Sequence, residues 1–218
     1  SAIMDESLAG VNSASYWDEI YLDGRDGWDL RGPTPVFRRL AESGQFAPGR
    51  MLVPGAGPGH DARLFARHGF RVTAVDFADE AVRGMRKIED LLAPVEVIQA
   101  DLFDLPRAFD SVFDYVLEYT CFCAIDPARR PEYADVVTRV LAPGGLLVAL
   151  AFPVRETTGG PPFSVNPDEY ITLFTARGFT LRHREAPLDS IGPRKGFEEL
   201  LIFRAGDRRT MEAAHGSQ

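Results

Sequence analysis

The chemistry legible in this chain rests on two glycines, two acids at strand ends and one tyrosine. Gly55 and Gly57 stand in the run Val53-Pro54-Gly55-Ala56-Gly57-Pro58-Gly59, directly after the short apolar stretch Met51-Leu52-Val53. Lacking a Cβ, they let the backbone turn tightly and come close to a ligand. A helical pattern then begins near His60, places Leu64, Phe65 and His68 at helical spacing and stops at Gly69. An apolar run from Phe70 to Val75 follows and ends on Asp76. A strand, glycine loop, helix, strand and terminal acid in this order hold the adenosine half of a nucleotide-like cofactor. The helix start offers unsatisfied N–H groups beside the loop. Asp76 can accept both ribose hydroxyls in a charge-assisted contact. The plainer alternative is a tight turn with Asp76 as an ordinary cap.

Asp101 closes a third strand, Val95-Glu96-Val97-Ile98, and precedes Leu102 and Phe103. It can accept from an adenine amino group with Leu102 against the ring, or cap a turn. Glu118 and Tyr119 end a fourth strand, Phe113 to Tyr119. The carboxyl ends of an open parallel sheet face the ligand crevice, which makes both residues site candidates.

The elements that must position these groups follow from periodicity. Pro33 and Pro35 start a helix with Val36, Phe37, Leu40 and Ala41 on its buried side. Ala78 to Leu92 forms another helix, with Ala81, Val82, Met85, Ile88 and Leu92 on one side. A third opens at Asp126-Pro127 and runs to Leu141 until Pro143-Gly144-Gly145 breaks it. Leu146 to Phe152 is the continuous apolar run of a buried parallel strand. The Pro- and Gly-rich loop after it, 153–167, has the length and composition of loops that close over substrates. A helix over 167–177 leads to strands over 179–185 and 197–204, close enough in sequence for a hairpin. The expected architecture is α/β: a doubly wound, seven-stranded, mostly parallel Rossmann-like sheet with its last strand antiparallel and helices on both faces. A single domain over 1–218 is expected, with residues 12–35 as an N-terminal cofactor lid and 205–218 as a disordered tail.

Composition bounds the partners. The chain has 218 residues, 45% of them hydrophobic, and a formal net charge of −8. The negative balance argues against nucleic acid or an anionic membrane as the main partner. No apolar run approaches the roughly 20 residues of a membrane span, and SAIMDESLAG lacks the parts of a signal peptide. Cys121 and Cys123 do not make a disulfide framework, and no further ligands stand near them for zinc. The expectation is a reduced, cytoplasmic monomer. In the segment 12–24, read as a helix, Trp17 and Tyr21 share a face, and Trp28 follows. These aromatics either pack on the domain or cover a cationic cofactor with their ring faces.

The opening unit alone does not separate a nicotinamide-dependent oxidoreductase from a methyltransferase. Asp101 is superfluous in a dinucleotide fingerprint, and the chain shows no second binding half. The phrase Leu141-Ala142-Pro143-Gly144-Gly145 resembles the turn before strand five of S-adenosylmethionine-dependent enzymes, and the closing hairpin resembles their antiparallel seventh strand. Longer stretches narrow this: VPGAGPGHD at 53–61, FCAIDPARRP at 122–131, Phe152-Pro153, GGPPFSV at 159–165 and SIGPRKG at 190–196. They resemble the thiol and halide methyltransferases of the thiopurine methyltransferase superfamily, from about Trp17 to Phe203.

That resemblance implies a class I methyltransferase using S-adenosylmethionine, with S-adenosylhomocysteine as product. The acceptor it implies is small: a thiol or sulfide, with halides, thiopurines and a metalloid anion in the same class. The cofactor set becomes Trp17, Tyr21, Trp28, Gly55, Gly57, Asp76, Phe77, Asp101, Leu102 and Tyr119, although the family often carries tryptophan where this chain has Tyr21. Phe152 departs from the plant-type halide enzymes, which have tyrosine there, and the lost hydroxyl favours a softer, more apolar acceptor. Phe152 and Phe163, with Arg155 and Arg194 as anion-recruiting groups beside Lys195, form the expected acceptor pocket. Tyr119 is the candidate orienting group. Cys121 and Cys123 are read as packed residues and His60 as a brace for the glycine loop. Three alternatives stay open: an N- or O-methyltransferase with Glu118 or His183 as base, a nicotinamide-dependent oxidoreductase, and a cofactor-binding regulator without turnover.

Overall fold

The computed structural model of the protein describes residues 11–14, 32–87 and 93–207. Its centre is a seven-stranded sheet: β1 (Arg50–Pro54), β2 (Arg71–Asp76), β3 (Val95–Gln99), β4 (Phe113–Tyr119), β5 (Leu141–Ala151), β6 (Thr180–Glu185) and β7 (Glu199–Arg204). The order across the sheet is β3-β2-β1-β4-β5-β7-β6. β1 to β5 are mutually parallel, and β7 lies antiparallel to both β5 and β6. The expected fold is borne out, with the final hairpin inserted so that its last strand sits inside the edge.

Helices are α1 (Pro35–Ser43), α2 (His60–Arg67), α3 (Asp79–Lys87), α4 (Arg130–Val140) and α5 (Pro167–Thr175). Each crossover helix must bury one face against the sheet, which creates two apolar layers. One layer holds Phe113, Tyr133, Val137, Tyr170, Phe174 and Phe203 around α4 and α5. The other holds Phe37, Met51, Leu64, Phe65, Phe70 and Met85 around α1, α2 and α3. Strands covered on both sides read as near-continuous apolar runs, and Met51 to Pro54 and Leu147 to Ala151 are buried throughout.

From β1 the chain winds outward to β3 and then returns to place β4 on the other side of β1. The reversal opens a crevice at the carboxyl ends of β1 and β4, the usual ligand position in such sheets. Gly55 and Thr120 lie there as the first residues beyond the two strands.

Two boundaries differ from the sequence reading. The segment from Asp126 starts as a single 3₁₀ turn, Pro127–Arg129, before α4, and α4 ends at Val140. Pro143-Gly144-Gly145 does not separate helix from strand; β5 already begins at Leu141, which pairs with Phe113. The strand then bulges, and pairing resumes at Tyr115 with Leu146. Gly144 takes φ +76°, and a Cβ on Gly145 would lie 2.9 Å from the Ala142 oxygen. The glycines serve the bulge, not a helix stop. The helix expected over 78–92 is described as far as Lys87. The 12–24 segment, but for Asn12 to Ala14, and positions 208–218 of the expected tail lie outside the described residues.

Candidate functional site

The glycine loop is built around the Asp76 carboxylate. Oδ2 accepts from the Gly57 N–H at 2.8 Å and Oδ1 from the Ala78 N–H at 2.9 Å. The Ala56 N–H donates to the Val75 carbonyl at 3.0 Å, so the loop folds back on the end of β2. Gly55 has φ +59°, and a Cβ there would lie 2.9 Å from the Cys121 Sγ. Both its conformation and its neighbours therefore require glycine. Gly59 precedes α2 at φ +79°, and the Arg63 guanidinium ties the loop down by donating to the Pro58 carbonyl at 2.8 Å. His60 Nδ1 lies 3.1 Å from the same guanidinium, in line with the bracing role expected of it.

Two cavities open on either side of Gly55. The first is lined by Gly55, Asp76, Phe77, Asp101, Leu102 and Phe103, together with Thr120, Cys121 and Ile125. Asp101 caps the following turn, its Oδ1 accepting from the Phe103 N–H at 2.9 Å, and the residue also lines the cavity. Arg129 completes the wall, its guanidinium 3.6 Å above the Phe103 ring and 3.3 Å from the Asn12 side-chain oxygen. Val11 and Asn12 close the same side. Two strand-end acids, apolar faces between them and a glycine-edged entrance suit a ribose and a planar base.

The second cavity is lined by the loop residues Gly55 to Pro58, by Thr34, Phe37, His60 and Asp61, and by Tyr119 and Thr120. Asp61 is tied to Thr34 through both the N–H and the hydroxyl, each at 2.8 Å, and this fixes the chain entering α1 against the loop. Burial raises the Asp61 carboxyl above its usual range, and the two Thr34 hydrogen bonds oppose that rise.

Tyr119 joins the second cavity to a buried polar cluster. Its hydroxyl donates to Glu198 and accepts from Arg194 Nη1 at 2.6 Å. Its ring meets Phe37 and Phe152 edge-on at centroid distances of 5.9 and 6.5 Å. The Arg194 guanidinium lies 4.7 Å from the Phe152 ring centre and 5.3 Å from that of Tyr119. Burial, then the charge of Glu198, pushes the phenol far up, so it stays protonated.

Beneath the crevice floor, Glu118 is fully buried and accepts from the Phe122 N–H at 2.6 Å. Burial raises its carboxyl to about 7. It is surrounded by Tyr133, Cys121 and Arg130 rather than by either cavity, which makes it an internal brace for the turn after β4. Cys121 and Cys123 are buried free thiols whose ionisation burial pushes strongly up, so neither is primed as a nucleophile.

Of the residues singled out in the sequence, Gly55, Asp76, Phe77, Asp101 and Leu102 come together at the first cavity, and Gly55, Gly57 and Tyr119 at the second. Phe152 and Arg194 reach the second through Tyr119. Phe163 is buried with its N–H on the Cys123 carbonyl, while Arg155 is exposed above the Phe197 ring; neither lines these two cavities. His183 sits on β6 beside Glu185, away from the crevice. Trp17, Tyr21 and Trp28 lie outside the described residues. Sequence reasoning missed Glu198, Asp61, Thr34 and Arg129. Only Glu198 carried a signal, as one of two acids directly before the apolar run Leu200 to Phe203.

Comparison with known proteins places this arrangement. The family model described as Thiopurine S-methyltransferase matches residues 12–208. A probable thiol methyltransferase 2 of Arabidopsis thaliana is 36% identical over 196 residues, covering 88% of this chain and 86% of that protein. Thiocyanate methyltransferase 1 of Brassica oleracea is 31% identical over 84% of this chain and 82% of its own length. Among solved structures, the 1,6-didemethyltoxoflavin-N1-methyltransferase of Burkholderia thailandensis, with S-adenosylhomocysteine bound, superposes at a TM-score of 0.71. It covers 94% of this chain and 91% of its own at 22% identity, a likeness of fold.

Proposed function

The chain belongs to the thiopurine S-methyltransferase family and is an S-adenosylmethionine-dependent methyltransferase, and we propose that its acceptor is a small thiol or sulfide held in the second cavity. The observation that carries the assignment of the two ends is the position of Gly55, which borders both cavities. A ligand with an adenosine at one end and a reactive group at the other fits across it. The residues present suit the cofactor: Gly55, between the two cavities, has no side chain to block the passage, and two acids stand at the ribose and base end. Asp76 and Asp101 would hold the ribose and the base amino group, with Phe77, Leu102 and Phe103 against the apolar faces. The acceptor end is Tyr119 with Phe37, and Phe152 and Arg194 behind it.

When bound, S-adenosylmethionine supplies a methyl group on a sulfonium that leaves as a neutral thioether and needs no acid. The chain's residues then have three tasks. They align acceptor and donor, which is worth roughly 7–11 kcal/mol of barrier. They exclude water from the acceptor, which the buried Phe37 ring and the half-buried Phe152 ring around Tyr119 do. They orient the acceptor, for which Tyr119, a residue of the cavity wall, carries the hydroxyl.

Transfer of labelled methyl from S-adenosylmethionine to sulfide, small thiols, thiocyanate, iodide and a thiopurine tests this reading. Sulfide and small thiols are expected to turn over and iodide to lag. Activity confined to amines or hydroxyls would replace the acceptor class while leaving the enzyme class in place.

A further inference from the structure

The hydroxyl of Tyr119 has a fixed hydrogen-bond ledger. Arg194 is a donor only, so the Nη1 contact at 2.6 Å makes the phenol oxygen an acceptor there. The single phenol hydrogen then goes to the ionised Glu198 carboxylate, its close partner on the other side. All three groups are held in place. Arg194 and Glu198 are buried, Arg194 ends the 3₁₀ turn Gly192–Arg194, and Glu198 immediately precedes β7. The hydroxyl therefore has no proton to offer a ligand in the cavity that Tyr119 lines; what it has left is a lone pair.

We propose that Glu198 is a specificity-determining positioning residue: by taking the Tyr119 hydrogen it leaves a lone-pair acceptor at the acceptor end of the site, which receives S–H nucleophiles and disfavours bare anions such as thiocyanate and iodide. This rests on reading the second cavity as the acceptor end. A thiol hydrogen can bond to the phenol oxygen and is lost to solvent as the sulfur takes the methyl group, whereas an anion finds no O–H donor there and no net charge to draw it, since Glu198 offsets Arg194. Protonating Glu198, or replacing it, releases the phenol hydrogen and turns Tyr119 into an anion donor. The groups facing Glu198 are Tyr119 from β4, Arg194, Ser190 and Asp189. Asp189 is itself paired with Arg39 of α1 at 2.8 Å. Burial raises the Glu198 carboxyl, and Tyr119, Ser190 and Arg194 pull against that rise. Lowering the pH through the Glu198 transition therefore strengthens anion binding.

The test is thiocyanate binding to the S-adenosylhomocysteine complex, a readout that does not depend on turnover, with the thiol-to-thiocyanate ratio of kcat/KM measured alongside. Glu198→Met is expected to tighten thiocyanate by about tenfold or more, the worth of a hydrogen bond to a charged group. Glu198→Gln, which keeps an oxygen acceptor of weaker pull, is expected to fall between Glu198→Met and the unsubstituted protein. Tyr119→Phe as background separates the hydroxyl from simple charge removal. There the Glu198 substitution should have a clearly smaller effect. The unsubstituted protein should bind thiocyanate more tightly as pH falls, a series that needs no variant to fold. Equal affinity in all forms, undetectable binding throughout, or an equal effect in the Tyr119→Phe background would overturn the proposal. If the binding shift appears but no sulfur acceptor is methylated, the sulfur-acceptor reading fails and the role of Glu198 stands.

Discussion

Replacing Asp76 by alanine separates the loop brace seen in the structure from the ribose contact proposed for the same carboxylate. In the structure it holds the glycine loop through the Gly57 and Ala78 N–H groups at 2.8 and 2.9 Å. Hydrogen bonds to a charged group are worth about 1.5–3 kcal/mol each, so losing both costs roughly 3 kcal/mol or more, since the donors are left buried. For a chain of this size, about 3 kcal/mol corresponds to a fall in Tm of roughly 6–12 °C. Removing the ribose contact should also weaken S-adenosylhomocysteine by at least about tenfold, because that contact is charge-assisted. Loop distortion alone could weaken binding too, and a ligand comparison resolves this. In the unsubstituted protein, S-adenosylhomocysteine should bind at least about tenfold more tightly than its 2′,3′-dideoxy analogue. In Asp76→Ala that preference should collapse. Calorimetric titration of both ligands and a thermal melt give all the quantities. A preserved preference for the ribose hydroxyls would refute the ribose role, and an unchanged Tm would refute the loop brace.

Three further outcomes are expected. Gly55→Ala should weaken S-adenosylhomocysteine more than about tenfold, since φ +59° costs an L-residue about 1–2 kcal/mol and its Cβ would lie 2.9 Å from the Cys121 sulfur; titration with retained affinity would show that the loop moves freely. Glu118 titrates near 7 in the folded chain against 4.5 for a free side chain, so the folded state binds more protons between those values and stability falls as pH rises through that window. The loss is at most about 3 kcal/mol; denaturant melts at pH 4.5 and 7.5 should show it shrinking in Glu118→Gln, and an identical pH dependence in both proteins would mean the carboxyl is not perturbed. Phe152→Tyr adds a hydroxyl to the ring that Arg194 covers at 4.7 Å and should raise iodide turnover relative to thiol turnover; a constant ratio would remove Phe152 from the acceptor site.

The first cavity was legible because its logic is local. A glycine loop and an acid at the end of the next strand are set by neighbours in sequence, and Gly55, Asp76, Asp101 and Leu102 needed only strand ends to be placed. The surroundings of the second cavity were not legible in the same way. Glu198 and Arg194 reach Tyr119 from 79 and 75 residues away, and Asp61 reaches Thr34 across 27. The two contacts to Tyr119 depend on β7 being inserted beside β5, and no periodicity within a segment encodes partners that distant. Arg194 shows the consequence. As a basic residue in a loop it read as a group to capture an anion; in the fold it is buried and already engaged by Tyr119, with Glu198 on the far side of the same hydroxyl. Pro143-Gly144-Gly145 failed differently, since glycine and proline mark irregular backbone without saying whether it is a helix stop or a bulge.

The placement of charge bears on the reaction itself. A cationic sulfonium meeting an anionic or ionising sulfur loses charge on the way to the transition state, so an environment that solvates ions well would hold back the transfer. Around Tyr119 the protein opposes Arg194 with Glu198 and separates them by one phenol oxygen, so the nearest formal charges offset each other. The surrounding surfaces are the edges and faces of Phe37 and Phe152. An unopposed arginine would instead stabilise the anionic acceptor before reaction and surrender that stabilisation during it. With the acceptor beside Tyr119 as proposed, this charge balance and these aromatic walls keep binding from competing with transfer. Loss of Glu198 should accordingly strengthen the binding of anionic acceptors more than it raises their kcat.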